Sequence, residues 1–222
     1  MAFGVRLHCW GELACFTRPE MKVERVSYDV MTPSAARAVV EAIYWKPEIR
    51  WVIDRIRVLK PIRFTSLRRN EVGSRIGARQ VAAAMQSGRG NLAIYADSQE
   101  ERQQRAALLL RDVAYVIEAH FDLVAGEANE AKHLDQFSRR ARNGQCFTRP
   151  YLGCREFAAD FAIIENAGGM PVPHESLAGI RDLGWMLHDI DYLDGRQPRF
   201  FHATMSDGVI EVPPLTRVGA PA

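Results

Sequence analysis

Two segments with capping signals at both ends constrain the fold most, because they fix where two amphipathic helices begin and end. In the first, Thr32 can cap the helix, Pro33 suits its first turn, and Pro47 stops it after Lys46. Its apolar residues recur at helical spacing and predict one core-facing stripe, made of Ala36, Val39, Val40 and Ile43.

The second helix follows Asn129, a suitable cap, and ends before Gly144. Glu130 lies in its first turn and three arginines lie in its last, so the charges at both ends complement the helix dipole. The predicted buried stripe is Ala131, Leu134, Phe137 and Ala141.

Strand patterns lie before, between and after these helices. Apolar and polar residues alternate near 5–10, along 55–64, within 112–124 and around 157–164, although a helical interpretation of 99–120 competes with the third strand. Residues 68–104 form an excursion with a short helix from Gln80 to Met85. The order strand, helix, strand, strand, helix, strand predicts an α+β fold, a ferredoxin-like (RRM-like) domain over residues 1–167 with this inserted excursion.

A separate unit is predicted after a Gly- and Pro-containing linker at 168–173. The turn signals Asp194-Gly195 and Asp207-Gly208 separate three short strands near 185–192, 199–205 and 209–212. We therefore expect residues 168–222 to form a small C-terminal antiparallel β-sheet domain.

Charge is distributed unevenly along a chain whose net charge is only +2. Residues 50–79 hold nine basic residues against two acids, whereas residues 160–222 hold four arginines against nine acids. Such segregation is typical of a protein with one surface for a polyanion, and a solvated charged face would produce the same asymmetry.

The four cysteines, Cys9, Cys15, Cys146 and Cys154, have the spacing of neither a zinc knuckle nor a disulfide framework. We interpret them as reduced thiols of a cytoplasmic protein. No targeting segment or membrane span is predicted, so we expect no membrane partner.

Lys132 and His133 form the most informative pair, because they lie in the first turn of the second helix. Backbone N–H groups and the positive end of the dipole can hold a phosphate there, while an ammonium and an imidazole supply charge and proton transfer. Antiparallel packing of the two helices would bring Tyr44 close to His133. Taken singly, a Lys-His pair is more typical of a solvated helix turn. A tyrosine at the end of such a helix is more typical of a structural residue with one apolar and one polar side.

A cluster of acids in the C-terminal segment offers a different chemistry. Asp189, Asp191 and Asp194 with His188 could hold a divalent metal for a DNA nuclease, but beside Asp194-Gly195 they are more typical of turn and edge residues. We therefore predict no metal site.

Several runs closely resemble the Cas5d proteins, the processing subunits of type I-C CRISPR systems, and the likeness covers almost the whole chain. The first runs are Trp10-Gly11, CFTRPE at 15–20, KVERVSYDV at 22–30, TPSAAR at 32–37 and EAIYW at 41–45. The others are RRNE at 68–71, His133 with Phe137 and Arg139-Arg140, and PYLGCREF at 150–157.

The resemblance implies a RAMP-superfamily endoribonuclease with a ferredoxin-like body and a small β-rich C-terminal domain. Such enzymes cut CRISPR repeat hairpins (pre-crRNA) without metal or cofactor, using the RNA's own 2′-hydroxyl, and leave a 2′,3′-cyclic phosphate. The matching catalytic positions are Tyr44, Lys132 and His133. The family member also stays on the 5′ handle of the crRNA with other type I-C Cascade subunits, where DNA contact is possible.

On this hypothesis Lys132 neutralises the transition state and His133 protonates the departing 5′-oxygen, while Tyr44 orients or deprotonates the 2′-hydroxyl. His133 acting as the base is an alternative. A further alternative is a non-catalytic crRNA-binding structural subunit. The residues expected to contact RNA phosphates are Arg68, Arg69, Arg75, Arg139 and Arg140.

Overall fold

The first helix begins where the sequence predicts and ends earlier. The computed structural model describes residues 4–21, 23–124, 129–192 and 194–215. Helix α1 (Pro33–Ile43) is capped by Thr32, whose hydroxyl accepts a 3.3 Å hydrogen bond from the Ala35 N–H, and its predicted stripe is buried. The expectation that the helix continues to Lys46 is wrong, because Tyr44 is already extended, with φ −151° and ψ 119°. Pro47 favours an extended backbone just before it, which supports this early end.

The extended stretch predicted over 55–64 is two strands, not one. Strand β2 (Ile49–Val58) ends before Lys60 and Pro61, and strand β3 (Phe64–Val72) starts after them. Proline lacks the N–H that a continuous ladder requires, so the chain turns away there. The excursion predicted from residue 68 onward therefore begins within β3.

The competition between helix and strand over 99–120 is resolved in favour of a strand. Strand β4 (Arg102–Leu123) is 22 residues long and pairs with β3 through its first half. Its second half pairs with β2 and with strand β1 (Gly4–Ala14). At Asp112, φ is +52° and the pair with Glu12 is missing from an otherwise constant register with β1, so the ladder is interrupted near the junction of the two halves.

Residues 64–110, which we call the arm, contain β3, the first half of β4 and helix α2 (Ala78–Ser87) between them. The predicted short helix is confirmed and is two residues longer at each end. None of its residues is buried, so α2 does not pack into the core and is joined to it through the β3–β4 ladder.

Helix α3 (Glu130–Arg142) follows its predicted cap, since the Asn129 side chain accepts a 3.0 Å hydrogen bond from the Lys132 N–H. Its predicted stripe is partly wrong. Ala131 is exposed and Leu134 is half-buried, whereas His133, Phe137 and Ala141 form the buried face. The buried stripe thus starts at a polar residue, which requires a partner inside the molecule.

The remaining strands complete one mixed α/β structure with a mostly antiparallel sheet. Strand β5 (Asp160–Ile163) pairs with β1, and the C-terminal strands β6 (Ile180–Asp191), β7 (Gln197–Ser206) and β8 (Val209–Glu211) form the predicted meander. The sheet order is β5-β1-β4-β2-β8-β7-β6, with β3 attached to β4. Because β8 pairs with β2, the meander continues the sheet of the N-terminal part.

Across the described residues, no helix is long and apolar enough to cross a membrane.

Candidate active site

The phenol of Tyr44 meets the imidazole of His133, as the sequence predicts. The Tyr44 hydroxyl oxygen and His133 Nδ1 lie 2.9 Å apart, which is a hydrogen-bond distance, and the ring centroids are 6.0 Å apart. The bond joins the residue that caps the end of α1 to the first turn of α3.

Both partners of this bond are buried, with 3% of Tyr44 and 0% of His133 exposed. Three aromatic side chains pack around them. Phe121 lies edge-on to His133 at 6.0 Å, and Trp51 contacts both Phe121 and Phe137 at 5.3 and 4.9 Å between ring centroids. The Trp51 indole N–H also donates a 2.8 Å hydrogen bond to the Tyr44 carbonyl, so the backbone and ring of Tyr44 are both held in place.

Lys132 and His133 point in different directions although they are neighbours, because successive helical residues differ by about 100° around the axis. The side chain of Lys132 is exposed, whereas that of His133 faces the core. The structure therefore brings Tyr44 and His133 into contact and places Lys132 on the surface of the same helical turn.

Arg140 has a contact that sequence reasoning missed. Its guanidinium carbon lies 5.6 Å from the centre of the Tyr44 ring, and one N–H donates a 3.1 Å hydrogen bond to the carbonyl of Ile43. Arg140 thus contacts both the last turn of α1 and the ring of Tyr44. The sequence does contain a signal for this contact. Arg140 lies seven residues after His133, which places it two helical turns further along the same face of α3.

The other four arginines predicted to contact RNA differ in their surroundings. Arg68 on β3, Arg75 before α2 and Arg139 on α3 are exposed. Arg69 is bound to Glu156, with a 2.6 Å hydrogen bond from one guanidinium nitrogen, and its hydrogen bond holds the pKa of Glu156 below the ordinary value. Arg69 therefore connects the arm to the loop at 150–158.

Two cysteines meet beside this ion pair. The Thr17 hydroxyl lies 3.5 Å from the sulfur of Cys15 and 3.8 Å from that of Cys154. The hydrogen bond from Cys15, with smaller contributions from Thr17 and Arg25, lowers the pKa of Cys154 to about 6 although burial opposes the shift. By contrast, burial raises the pKa of Cys9 to about 12.

The C-terminal aspartates are engaged by arginines. Asp189 accepts two 2.8 Å hydrogen bonds from Arg37, and Arg199 lies 3.6 Å from Asp191 and 2.6 Å from Asp194. Within the part of the chain that the structure describes, no group of three or more His, Cys, Asp or Glu side chains is placed to hold a metal ion.

A further pocket lies apart from the predicted catalytic residues. It has a volume of about 500 Å³ between α1, β2 and β6, and Tyr44, Lys132 and His133 do not line it. The catalytic hypothesis is therefore based on the Tyr44 to His133 contact, not on a cavity.

Comparison with known proteins identifies the family. The family described as CRISPR-associated protein (Cas_Cas5), in its Cas5d group, matches residues 4–213. The chain belongs to the Cas5d family. A relative from Mannheimia succiniciproducens, named CRISPR pre-crRNA endoribonuclease Cas5d, is 56% identical over 220 residues, covering 97% of each chain. A relative of the same name from Thermus thermophilus is 41% identical over 229 residues, covering 94% of this chain and 91% of its own.

Solved structures share the fold of this Cas5d family chain. A crystal structure described as a CRISPR-associated protein has a TM-score of 0.66 at 24% identity, covering 95% of this chain and 91% of its own. A chain of a CRISPR RNA-guided surveillance complex has a TM-score of 0.51 at 16% identity, with the same coverage.

Proposed function

We propose that this chain is an endoribonuclease that cuts CRISPR repeat transcripts into crRNA without a metal ion. The observation that carries the proposal is the hydrogen bond between Tyr44 and His133, which joins two of the three residues singled out from the sequence. The names of the two relatives supply the substrate class, since both are called pre-crRNA endoribonucleases.

The proposed reaction is a transesterification within the RNA. The 2′-hydroxyl loses its proton as its oxygen attacks phosphorus, the bond from phosphorus to the 5′-oxygen breaks, and that oxygen takes up a proton. The products are a 2′,3′-cyclic phosphate and a 5′-hydroxyl, and water is not consumed. Tyr44 and His133 are the proton-transferring pair, and the hydrogen bond between them lets a proton pass from phenol to imidazole. Lys132 offsets the charge that develops on the phosphate.

The groups proposed to hold the RNA backbone are the exposed Arg68, Arg75 and Arg139, together with Arg69 and Arg140, whose guanidinium groups already have protein partners. After cleavage the protein is proposed to stay on the 5′ handle as a subunit of the type I-C Cascade complex, with other subunits and DNA as further partners. The similarity in fold to a chain of a surveillance complex is consistent with this role. We place the protein in the cytoplasm, where its four free thiols would stay reduced.

A second candidate function is that of a non-catalytic subunit that only binds crRNA. One observation favours it: His133 has no exposed surface, so RNA reaches its imidazole only after a local movement of the residues that cover it. On this alternative the Tyr44 to His133 bond is a structural link between α1 and α3.

One assay separates these functions. Purified protein is incubated with repeat hairpin RNA with and without EDTA, and the product ends are identified by mass. The proposal predicts one cut at a fixed position, unchanged by EDTA, with a cyclic phosphate on the upstream product. Binding without cutting would favour the structural subunit, and cutting abolished by EDTA would favour a metal-dependent nuclease.

We also propose that the N-terminal part, residues 1–167, is a ferredoxin-like domain and that residues 168–222 form a second, β-rich unit. The strand order β5-β1-β4-β2, with α1 and α3 as the connections that cross between strands, supports the first statement. Limited proteolysis tests the second, since a boundary near residue 168 would give cleavage there before either unit is degraded.

A further inference from the structure

Two large aromatic side chains are exposed at the end of α1, next to the candidate catalytic pair. Trp45 directly follows Tyr44 and is 56% exposed, and Phe147 is 85% exposed. Leaving two such rings in water costs free energy, because each would be stabilised by burial. Neighbouring exposed aromatic rings indicate a surface that something covers.

The backbone next to each ring is fixed by a hydrogen bond at the same helix end. The Phe147 N–H donates a 2.8 Å bond to the carbonyl of Ala42, in the last turn of α1. The Tyr44 carbonyl accepts the bond from Trp51 described above, which fixes the chain where Trp45 begins. The two aromatic residues therefore have a backbone that is positioned before any partner binds.

The charges around these rings favour a polyanion as the partner. Lys46 directly follows Trp45 and Arg149 lies two residues after Phe147. The last turn of α3 adds Arg139, Arg140 and Arg142. Three carboxylates lie among them, Glu48, Asp160 and Glu165, and the last two form ion pairs with Arg149 and Arg142. Exposed aromatic rings within a cationic surface are the usual means of binding single-stranded nucleic acid, because bases stack on the rings while cations follow the phosphates.

Both aromatic residues lie at the helix end that carries Tyr44. Trp45 directly follows Tyr44, and the Phe147 N–H is bonded to the carbonyl of Ala42, two residues before Tyr44. Because stacked nucleotides are spaced by about 3.4 Å, a base stacked on either ring would belong to a nucleotide near the one at Tyr44. We propose that Trp45 and Phe147 stack on unpaired nucleobases of the RNA close to the scissile linkage, an inference that rests on the proposed endoribonuclease function.

Binding measurements test this inference separately from cleavage. The probe is repeat hairpin RNA with a 2′-deoxynucleotide at the scissile position, prepared with and without its unpaired flank, and Kd is measured by fluorescence anisotropy. Trp45→Ala and Phe147→Ala are each expected to weaken binding of the flanked RNA about tenfold and to leave binding of the RNA without a flank unchanged. Phe147→Tyr keeps the ring and is expected to bind as the wild type does.

Two control variants distinguish stacking from other effects. Trp185→Ala removes an equally exposed tryptophan, 66% exposed on β6, and is expected to change nothing. Trp45→Leu keeps an apolar side chain without a ring and is expected to bind as weakly as Trp45→Ala. Wild-type affinity in either alanine variant, or in Trp45→Leu, would overturn the inference.

The same variants separate RNA from a protein partner. If Trp45→Ala and Phe147→Ala bound RNA normally but failed to copurify with coexpressed Cascade subunits, the surface would be a protein interface and the inference would be wrong. If wild-type protein bound the flanked RNA in a ring-dependent way but never cut intact RNA, the proposed function would fail while the stacking surface stood.

Discussion

Tyr44 shows how one residue can connect fold and proposed chemistry. Its hydroxyl is bonded to His133, its carbonyl accepts from Trp51, and Arg140 lies over the face of its ring. Two of these contacts come from α3 and one comes from β2, so the position of the phenol depends on the packing of both elements. The sequence predicts that Tyr44 and His133 meet, yet it does not predict that they do so inside the molecule.

That burial could not be read from the local pattern. Residues 129–144 have a polar first turn, and an apolar stripe starting at Ala131 fits the helical period as well as one starting at His133. The stripe that starts at His133 is the buried one because Tyr44, 89 residues earlier in the chain, provides a hydrogen-bond partner for the buried imidazole.

The first residue-level prediction concerns the phenol. Tyr44→Phe removes the hydroxyl and keeps the ring, so single-turnover cleavage of saturating repeat RNA should fall about 100-fold or more. Loss of a buried hydrogen bond should also lower the free energy of unfolding by about 1–3 kcal/mol, measured by urea denaturation. Tyr95→Phe, at an exposed tyrosine of the arm, is the control. Undiminished cleavage by Tyr44→Phe would exclude the phenol from the reaction.

A second prediction concerns the thiol of Cys154. Its pKa is lowered from 9.0 to about 6, so at pH 7.5 it is expected to be alkylated by iodoacetamide well before Cys9, whose pKa is raised to about 12. Between about pH 6 and 9 this group binds fewer protons folded than unfolded. Its contribution to stability is therefore complete above pH 9 and is lost as pH falls through 6.

Peptide mass spectrometry between pH 5 and 9 measures the alkylation. Cys15→Ala, which removes the donating thiol, should move the midpoint for Cys154 upward. A midpoint near 9 in the wild-type protein would contradict the assignment. The sequence could not predict this pair, because 139 residues separate Cys15 from Cys154.

Elements with local capping signals were predicted well, and those decided by distant pairing were not. Thr32 and Asn129 mark the starts of α1 and α3 because each cap is a bond to a residue three positions away. By contrast, alternation continues through Pro61, so the pattern alone merges β2 with β3. The length of β4 follows from pairing with three strands, which periodicity does not reveal.

The cap of α3 gives a prediction at this scale. Asn129→Ala removes the bond to the Lys132 N–H, and it should lower the free energy of unfolding by about 1 kcal/mol. Because Lys132 and His133 occupy the turn that this cap fixes, the cleavage rate should fall while RNA binding is kept. Differential scanning calorimetry and single-turnover kinetics measure the two effects.

Thr32→Ala provides the matched control, since it removes the cap of α1 about 18 Å from Tyr44 along the helix. Thr32→Ala should lower the free energy of unfolding about as much as Asn129→Ala does. At a temperature where both variants are folded, it should reduce the cleavage rate only slightly. Equal losses of rate in both variants would mean that the effect on cleavage is general destabilisation.

At the scale of the whole molecule, basic and acidic residues are concentrated in different parts of the fold. The arm extends from the sheet through the β3–β4 ladder and carries Arg68, Arg69, Arg75 and Arg79, whereas the acidic C-terminal strands join the sheet through the pairing of β8 with β2. The uneven charge is visible in the sequence. The continuity of the sheet is not, because it depends on three residue pairs that join β8 to β2.

The arm yields a prediction about salt. If Arg68 and Arg75 contact phosphates, their combined replacement by alanine should weaken RNA binding and reduce the slope of log K against log salt concentration by about 0.7 per lost contact. Titrations between about 50 and 200 mM salt measure the slope. Arg181→Ala, at an exposed arginine of β6, is the control, and an unchanged slope in the double variant would remove the arm from the binding surface.

The central claim is that the RNA supplies its own nucleophile beside Tyr44, Lys132 and His133. The most direct measurement is the cleavage rate of repeat RNA with a single 2′-deoxynucleotide immediately before the cut, compared with the unmodified RNA in EDTA at equal occupancy. We predict that the unmodified RNA is cut and that the deoxy RNA, bound with the same Kd, is not cut at that position. Cleavage of both RNAs at the same rate would contradict the account.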